Sequence, residues 1–184
     1  LICNEIHPAR AKILSENVER MGIANAMVTN ETPQRLAEVF EDYFTRILVD
    51  APCSGEGMFR KNEAACEEWS PENVSLCAER QDGILDCAAS MLAPGGRIVY
   101  STCTFAPAEN EGSMMRFLLR HPEFRIVEVK KADGMSAGVP EWAYFGEKMG
   151  QVLPEIAQTI RLWPQHLNGE GHYLAVLEKE GILR

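Results

Sequence analysis

The feature that most constrains the fold of this chain is a regular alternation of short apolar segments with segments of helical periodicity. Each apolar segment forms a continuous run, which is typical of strands buried on both faces. Strands that alternate with helices predict an α/β fold with a mostly parallel sheet covered on both sides. The predicted strands cover residues 1–6, 24–30, 44–50, 97–105 and 124–130, and the predicted helices cover 7–22, 32–42, 70–92 and 107–121.

The last third of the chain departs from this alternation. Residues 132–158 are rich in glycine and proline, so we expect an irregular excursion there. Two closing strands follow at 159–164 and 172–179. A glycine-rich turn joins them, and we therefore expect the last strand to run antiparallel in the sheet. The chain begins in an apolar run without a methionine, and we expect a longer protein, truncated here at the N-terminus.

Composition narrows the possible functions. A net charge of −9 argues against a protein that coats nucleic acid through a basic surface, because phosphate contacts supply most non-specific affinity. The same charge still allows an enzyme with a local basic groove. The chain has no run of about eighteen apolar residues, so we expect neither a membrane-spanning helix nor a membrane partner.

The cysteines indicate a reducing compartment. Six are present and none forms a CxxC pair, so we expect no structural zinc site. A chain with 46% hydrophobic residues can build a core without disulfides. We therefore expect free thiols and a cytoplasmic location.

Polar residues recur where the predicted strands end. Glu5, Asn30, Asp50 and Cys103 each lie at or just beyond the end of an apolar run. In α/β sheets, ligands bind outside the carboxyl ends of the strands. This recurrence predicts that the four side chains line one cleft.

Two of these strand ends carry a cysteine. One segment runs from Asp50 to Gly57 and holds Cys53, and the other runs from Tyr100 to Phe105 and holds Cys103. Neighbouring strands would bring both thiols to one pocket, although an ordinary loop with a packed cysteine would show the same pattern. No histidine is near either cysteine in sequence, which gives no support to a cysteine protease, and His172 is a weaker candidate for the pocket.

The two segments, DAPCSGEGMFRK at 50–61 and VYSTCTFAPAENE at 99–111, together resemble the Sun/Nop family of RNA cytosine-5 methyltransferases. Within that family they are most similar to the bacterial RsmF-type ribosomal RNA enzymes. The resemblance implies a Rossmann-like class I methyltransferase fold that uses S-adenosylmethionine. It also implies that residues 1–184 are part of one catalytic domain, whose expected substrate is a cytosine in RNA of the small ribosomal subunit.

The resemblance also implies roles for individual residues. Cys103 matches the nucleophile that attacks C6 of cytosine, and Cys53 matches the cysteine that resolves the covalent product. Asp50 matches an acid that contacts both the cofactor and the target base. Glu5 matches the acid that binds the cofactor ribose, and Asn30 occupies the position of an acid near the adenine.

This sequence departs from the family pattern in two places. Asn30 stands where the family usually has aspartate, which makes Glu31 a competing candidate for the adenine site. The glycine-rich cofactor loop of the family would lie upstream of Leu1, so we expect this chain alone to bind S-adenosylmethionine weakly and to be inactive.

Four alternatives remain open from the sequence. Arg60 and Lys61 would either contact RNA phosphate beside the pocket or serve only as solvated charges. The substrate could be transfer RNA, or the chain could be a catalytically silent RNA-binding module of the same fold. The fourth alternative exchanges the roles of the two cysteines, as in DNA cytosine methyltransferases.

Overall fold

The computed structural model describes residues 1–61, 63–144 and 152–183. Its strands are β1 (Ile2–Asn4), β2 (Met27–Thr29), β3 (Phe44–Asp50), β4 (Leu92–Thr102), β5 (Phe124–Ile126), β6 (Met135–Ala137), β7 (Ile160–Leu162) and β8 (His172–Lys179). Its α-helices are α1 (Pro8–Arg20), α2 (Pro33–Val39), α3 (Glu63–Glu68), α4 (Pro71–Met91) and α5 (Glu111–Arg120). Short 3-10 helices cover Glu56–Met58, Pro140–Tyr144 and Pro154–Gln158.

The chain divides into two compact units, residues 1–40 and 41–184. The first unit contains β1 and β2, which pair in parallel with Cys3 opposite Val28, and the helices α1 and α2. Thr32 starts α2 by accepting a hydrogen bond at its hydroxyl from the Arg35 N–H, and Pro33 occupies the first turn.

The second unit is built on a six-stranded sheet with the order β3-β4-β8-β7-β6, in which β5 also pairs with β8. β3 and β4 are parallel, with Asp50 opposite Ser101. β8 runs antiparallel to β4, with Tyr173 opposite Thr102. The α/β class and the antiparallel last strand predicted from the sequence are therefore confirmed.

The sheets contain more antiparallel pairs than the sequence pattern predicted. Among the described residues only β1–β2 and β3–β4 pair in parallel, and the remaining pairs are antiparallel. The reason is the connectivity after α5, where turns and short 3-10 helices replace crossover helices, so that consecutive strands reverse direction. Buried strands of either direction show the same apolar runs, so the pattern alone could not separate them.

Smaller differences concern the turns. The predicted turn at 93–96 lies inside β4, where Gly95 adopts a positive φ of 76° and the register against β3 shifts. The predicted excursion at 132–158 contains β6, which pairs with β7, and both longer 3-10 helices. Its part at 145–151 lies outside the described residues.

α4 and α5 pack against one another and cover the sheet of the second unit. Ser70 caps α4 by accepting from the Asn73 N–H at 3.0 Å, and Pro71 takes the first helical position, as the sequence predicts. Leu85, Phe117 and Leu177 are fully buried in the core that results. In the part of the chain that the structure describes, no helix is both long and apolar enough to cross a membrane.

A buried ion pair fixes β7 to the start of α5. The guanidinium of Arg161 is 2% exposed and donates through Nε to the fully buried Glu111 carboxylate at 2.7 Å. Arg161 also donates to the carbonyl of Phe105 at 3.1 Å, and its guanidinium lies over the rings of Trp142 and Trp163. This cluster anchors the segment that follows Cys103.

We expect Arg161→Met to destabilise the protein by about 3–5 kcal/mol, because the Glu111 charge would stay buried without its partner. The free energy of unfolding in urea measures the effect. A matched control is Arg97→Met, which removes an exposed ion pair with Glu178 and should destabilise the protein far less, because water screens that pair. Equal losses for the two variants would contradict the structural role assigned to Arg161.

Candidate active site

The two cysteines meet at the carboxyl ends of β3 and β4. Because Asp50 and Ser101 are opposite one another in parallel strands, the loops that follow them leave the sheet side by side. The sulfur of Cys53 lies 3.2 Å from the sulfur of Cys103, and the Cys103 N–H donates to the Cys53 sulfur at 3.3 Å. The structure thus brings together two thiols that are fifty residues apart in sequence.

The environment differentiates the two thiols. The hydrogen bond between the sulfurs raises the pKa of Cys53 strongly, and burial raises it further. The same hydrogen bond lowers the pKa of Cys103, although burial and the nearby Asp50 carboxylate oppose this effect. These opposite directions make Cys103 the sulfur more readily present as a thiolate, which is the nucleophilic form of cysteine.

Asp50 lies at the end of β3 with an exposed side chain. The Ser101 hydroxyl donates to its carboxylate at 3.4 Å. The carboxylate also influences the Cys103 thiol electrostatically. Asp50 is thus available to a ligand next to the paired thiols.

The loop after Cys53 is held closely against the segment that carries Cys103. Gly55 adopts a positive φ of 76°, and the Gly57 N–H donates to the Cys103 carbonyl at 2.8 Å. A Cβ at Gly57 would lie 2.3 Å from the carbonyl oxygen of Gly171, so only glycine fits there. Glu56 adds a side-chain link, because its carboxylate accepts from the Phe105 N–H at 3.0 Å.

Glu5 and Asn30 lie in the first unit, at the ends of β1 and β2. The Glu5 carboxylate accepts from the His7 N–H and pairs with Arg10, each at 3.0 Å. The Asn30 amide donates to the Glu5 carbonyl at 2.6 Å, and Glu31 pairs with Arg35. The strand-end positions agree with the sequence, and a common cleft for these residues with Asp50 and Cys103 stays a prediction.

Arg60 and Lys61 end the loop that begins at Cys53, and both side chains are exposed. They line an open cavity of about 530 Å³ whose opposite wall is the turn at 164–170, including Asn168 and Glu170. The cavity therefore presents two cations and an amide beside one carboxylate.

The remaining candidate from the sequence, His172, and two nearby tryptophans take part in the packing of β7 and β8. His172 begins β8, where it lies opposite Leu162. Trp142 and Trp163 enclose Arg161, and Trp163 also stacks on Phe105 with ring centroids 5.1 Å apart. Among the described residues, no group of three or more His, Cys, Asp or Glu side chains could hold a metal ion.

Sequence reasoning assigned no role to two acidic residues of the second unit. Glu56 accepts from the Trp69 indole at 2.7 Å as well as from Phe105. Glu109 is fully buried between the two cysteine loops. Both belong to the motif segments, but their hydrogen-bond partners are far away in sequence. The sequence showed only that each is an acidic residue in a loop at the ligand edge of the sheet, which does not predict its partners.

The two contacting thiols lie at the carboxyl edge of an α/β sheet, which is where such sheets bind their ligands, so either thiol is a candidate nucleophile. Comparison with known families makes this specific. The chain belongs to the 16S rRNA methyltransferase RsmB/F family, whose model matches residues 1–178. The Sun/Nop resemblance drawn from the two motifs is confirmed.

Curated relatives cover nearly the whole chain. Ribosomal RNA small subunit methyltransferase F of Shewanella denitrificans is 33% identical over 181 residues, which is 97% of this chain and 33% of the relative. The tRNA (cytosine(49)-C(5))-methyltransferase of Pyrococcus abyssi is 37% identical over 179 residues, 97% of this chain and 55% of the relative. The chain thus spans about a third of the first relative and about half of the second.

Solved structures support the same fold. The crystal structure of PH0851 superposes with a TM-score of 0.81 at 29% identity, covering 97% of this chain and 36% of that one. A methyltransferase homologue from Pyrococcus horikoshii gives a TM-score of 0.80 at 24% identity, covering 97% and 52%. The second likeness shows the fold alone.

Proposed function

We propose that this chain is part of an enzyme that methylates C5 of a cytosine in RNA of the small ribosomal subunit. The contact between the Cys53 and Cys103 sulfurs carries this proposal, since it places two thiols side by side at the ligand edge of the sheet. Membership of the RsmB/F family supports the reaction.

The chemistry requires a nucleophile because C5 of cytosine is too weakly nucleophilic to accept a methyl group unaided. The Cys103 thiolate forms a bond to C6, and the electrons of the C5–C6 double bond move to C5. S-adenosylmethionine supplies the methyl group that C5 accepts. A base then removes the proton from C5, the double bond re-forms, and the bond between C6 and the Cys103 sulfur breaks.

Asp50 and Cys53 assist the reaction at different steps. Asp50 hydrogen-bonds the exocyclic amine of the cytosine and biases the ring toward attack. Cys53 is required for release of the product, since it is the titratable group in contact with the Cys103 sulfur. The base must be unstacked from its neighbours to reach these side chains.

Glu5 and Asn30 suit the nucleoside part of S-adenosylmethionine. A carboxylate has about four lone-pair sites, and Glu5 uses one oxygen for the His7 N–H and the other for Arg10, which leaves acceptor capacity for ribose hydroxyls. The Asn30 amide nitrogen is engaged with the Glu5 carbonyl, so its carbonyl oxygen is the atom that we propose for contact with the adenine. Asp50 would contact the methionine end.

Arg60 and Lys61 are proposed to bind RNA phosphate beside the pocket. Replacing both with serine should reduce the dependence of log Kd on log salt by about 1.4, because each single-strand phosphate contact contributes about 0.7. Fluorescence anisotropy with a short RNA measures this dependence. As a matched control, Arg46 and Arg80 are also exposed but lie outside the loop, and replacing both with serine should leave the salt dependence unchanged.

The remaining proposals concern the whole protein. We propose that residues 1–184 make up part of one catalytic domain, and that the protein acts in the cytoplasm, which agrees with the free state of all six cysteines. Transfer RNA is the second candidate substrate, because the Pyrococcus abyssi relative is named for it.

The test incubates the full-length protein with S-adenosylmethionine and either small-subunit ribosomal RNA or transfer RNA, and measures 5-methylcytosine by mass spectrometry. Methylation of ribosomal RNA supports the proposal, and methylation of transfer RNA alone selects the second substrate. RNA binding without methylation of either RNA would identify a catalytically silent module.

A further inference from the structure

Glu109 forms an unusual connection between the two cysteine loops. Its side chain is fully buried, and its carboxylate accepts from the Ser54 N–H at 3.1 Å and from the Ser54 hydroxyl. The side-chain amide of Gln81 in α4 donates to it at 2.8 Å. Ser54 directly follows Cys53, so the carboxylate fixes the residue next to that thiol.

The same residue is also tied to the strand and loop that carry Cys103. The Tyr100 hydroxyl donates to the Glu109 carbonyl at 2.8 Å, and the Thr104 hydroxyl contacts the Ser54 hydroxyl at 2.9 Å. The Glu109 carbonyl thus lies beside the strand that carries Cys103, and the position of Ser54 is fixed by the Glu109 carboxylate.

A buried carboxylate is costly, and burial raises the pKa of Glu109 although the hydrogen bonds from Ser54 and Gln81 oppose the rise. Its charge does not activate the thiols. On the contrary, the Glu109 charge acts to raise the pKa of both Cys53 and Cys103. Glu109 must therefore act on the site by fixing the positions of its neighbours and not through its charge.

We propose that Glu109 is a positioning residue that holds the Cys53 sulfur within hydrogen-bonding distance of the Cys103 sulfur, so that the two sulfurs are in contact before RNA arrives. The proposal rests on the proposed function in that Cys103 is taken as the nucleophile. Glu109 acts through Ser54 and has no contact with the reacting atoms.

The test follows the alkylation of Cys103 by iodoacetamide as a function of pH in the full-length protein, with the modified peptide quantified by mass spectrometry. Below the thiol pKa, the rate follows the thiolate fraction, so one pKa unit corresponds to about a tenfold change. The titratable groups that influence Cys103 are Cys53, Asp50 and Glu109, and the first two are unchanged in the variants. No RNA or cofactor is needed.

Glu109→Gln is expected to move the Cys103 profile to higher pH and to slow alkylation at pH 7 by about three- to tenfold. The direction of the shift is decisive, because removing the Glu109 charge without disturbing the positions of the sulfurs would move the Cys103 profile to lower pH. In methyl transfer, the variant should lower kcat while KM for RNA stays within about twofold.

Tyr100→Phe is the matched control. It removes a buried hydrogen bond to the Glu109 backbone and leaves the carboxylate contacts in place, so it should lower the melting temperature without moving the Cys103 profile. If Glu109→Gln does not fold, Ser54→Ala carries the test, since it removes the hydroxyl that donates to the carboxylate and should shift the profile in the same direction.

A Cys103 profile that is unmoved, or moved to lower pH, in a folded Glu109→Gln or Ser54→Ala variant would overturn the proposal. Failure of this proposal can be distinguished from failure of the proposed function. If no 5-methylcytosine forms with any RNA but the profile still moves to higher pH, the positioning role stands and the assigned reaction fails.

Discussion

Cys103→Ala should reduce methyl transfer to RNA by at least about 10³-fold and should abolish the covalent protein–RNA adduct. The thiolate must add to C6 before C5 can accept a methyl group, so loss of the nucleophile stops every later step. Transfer of radiolabelled methyl groups measures the rate, and a denaturing gel detects the adduct.

Cys66→Ala provides the matched control for this prediction. Cys66 is also a free thiol of the second unit, but it is exposed in α3 and contacts only the Phe59 carbonyl through a long hydrogen bond of 3.9 Å among the described residues. Its removal should leave the rate within about twofold. A Cys103→Ala variant that transfers methyl groups at a rate near that of the control would eliminate Cys103 as the nucleophile.

Cys53→Ala should have the opposite effect on the adduct, whose amount should rise by about tenfold or more. Attack by Cys103 and methyl transfer precede the step that needs Cys53, so the RNA stays bound through C6. Attack should also become slower, because Cys53 no longer donates a hydrogen bond that lowers the Cys103 pKa. Time courses on denaturing gels resolve both effects.

The two cysteine variants together decide which cysteine is the nucleophile and which one releases the product. The arrangement of DNA cytosine methyltransferases would make Cys53 the nucleophile. In that case Cys103→Ala would give the shifted protein–RNA band and Cys53→Ala would not. The opposite pattern is expected here, because the hydrogen bond between the sulfurs raises the pKa of Cys53 and lowers the pKa of Cys103.

Much of the fold was accessible from the sequence because the informative signals are local. The strands that end at Asp50 and Thr102 are apolar runs, and the start of α4 follows from a capping serine and a proline. The direction of β8 followed from the turn before it. Helix α3 was missed, since the acidic segment EAACEE is too short to show a periodicity.

The parts of the site that sequence reasoning did not find depend on contacts between distant residues. Glu109 meets Ser54 across fifty-five positions, and Arg161 meets Glu111 across fifty. An arginine within an otherwise apolar strand gives no indication of its partner. The positions of Cys53 and Cys103 were predictable because each follows the end of its own strand, but the contact between them depends on the register of β3 against β4.

The close approach of Gly57 and Gly171 has a consequence for motion. The Gly57 N–H donates to the Cys103 carbonyl, and the Gly171 N–H donates to the Gly57 carbonyl at 3.3 Å, so backbone hydrogen bonds join three segments, two of which have glycine at the contact. These segments should open as one cooperative unit. Native-state hydrogen exchange should then give the Gly57 and Gly171 amides the same opening free energy. A cytosine that enters beside Cys103 would therefore contact loops that open together and not one at a time.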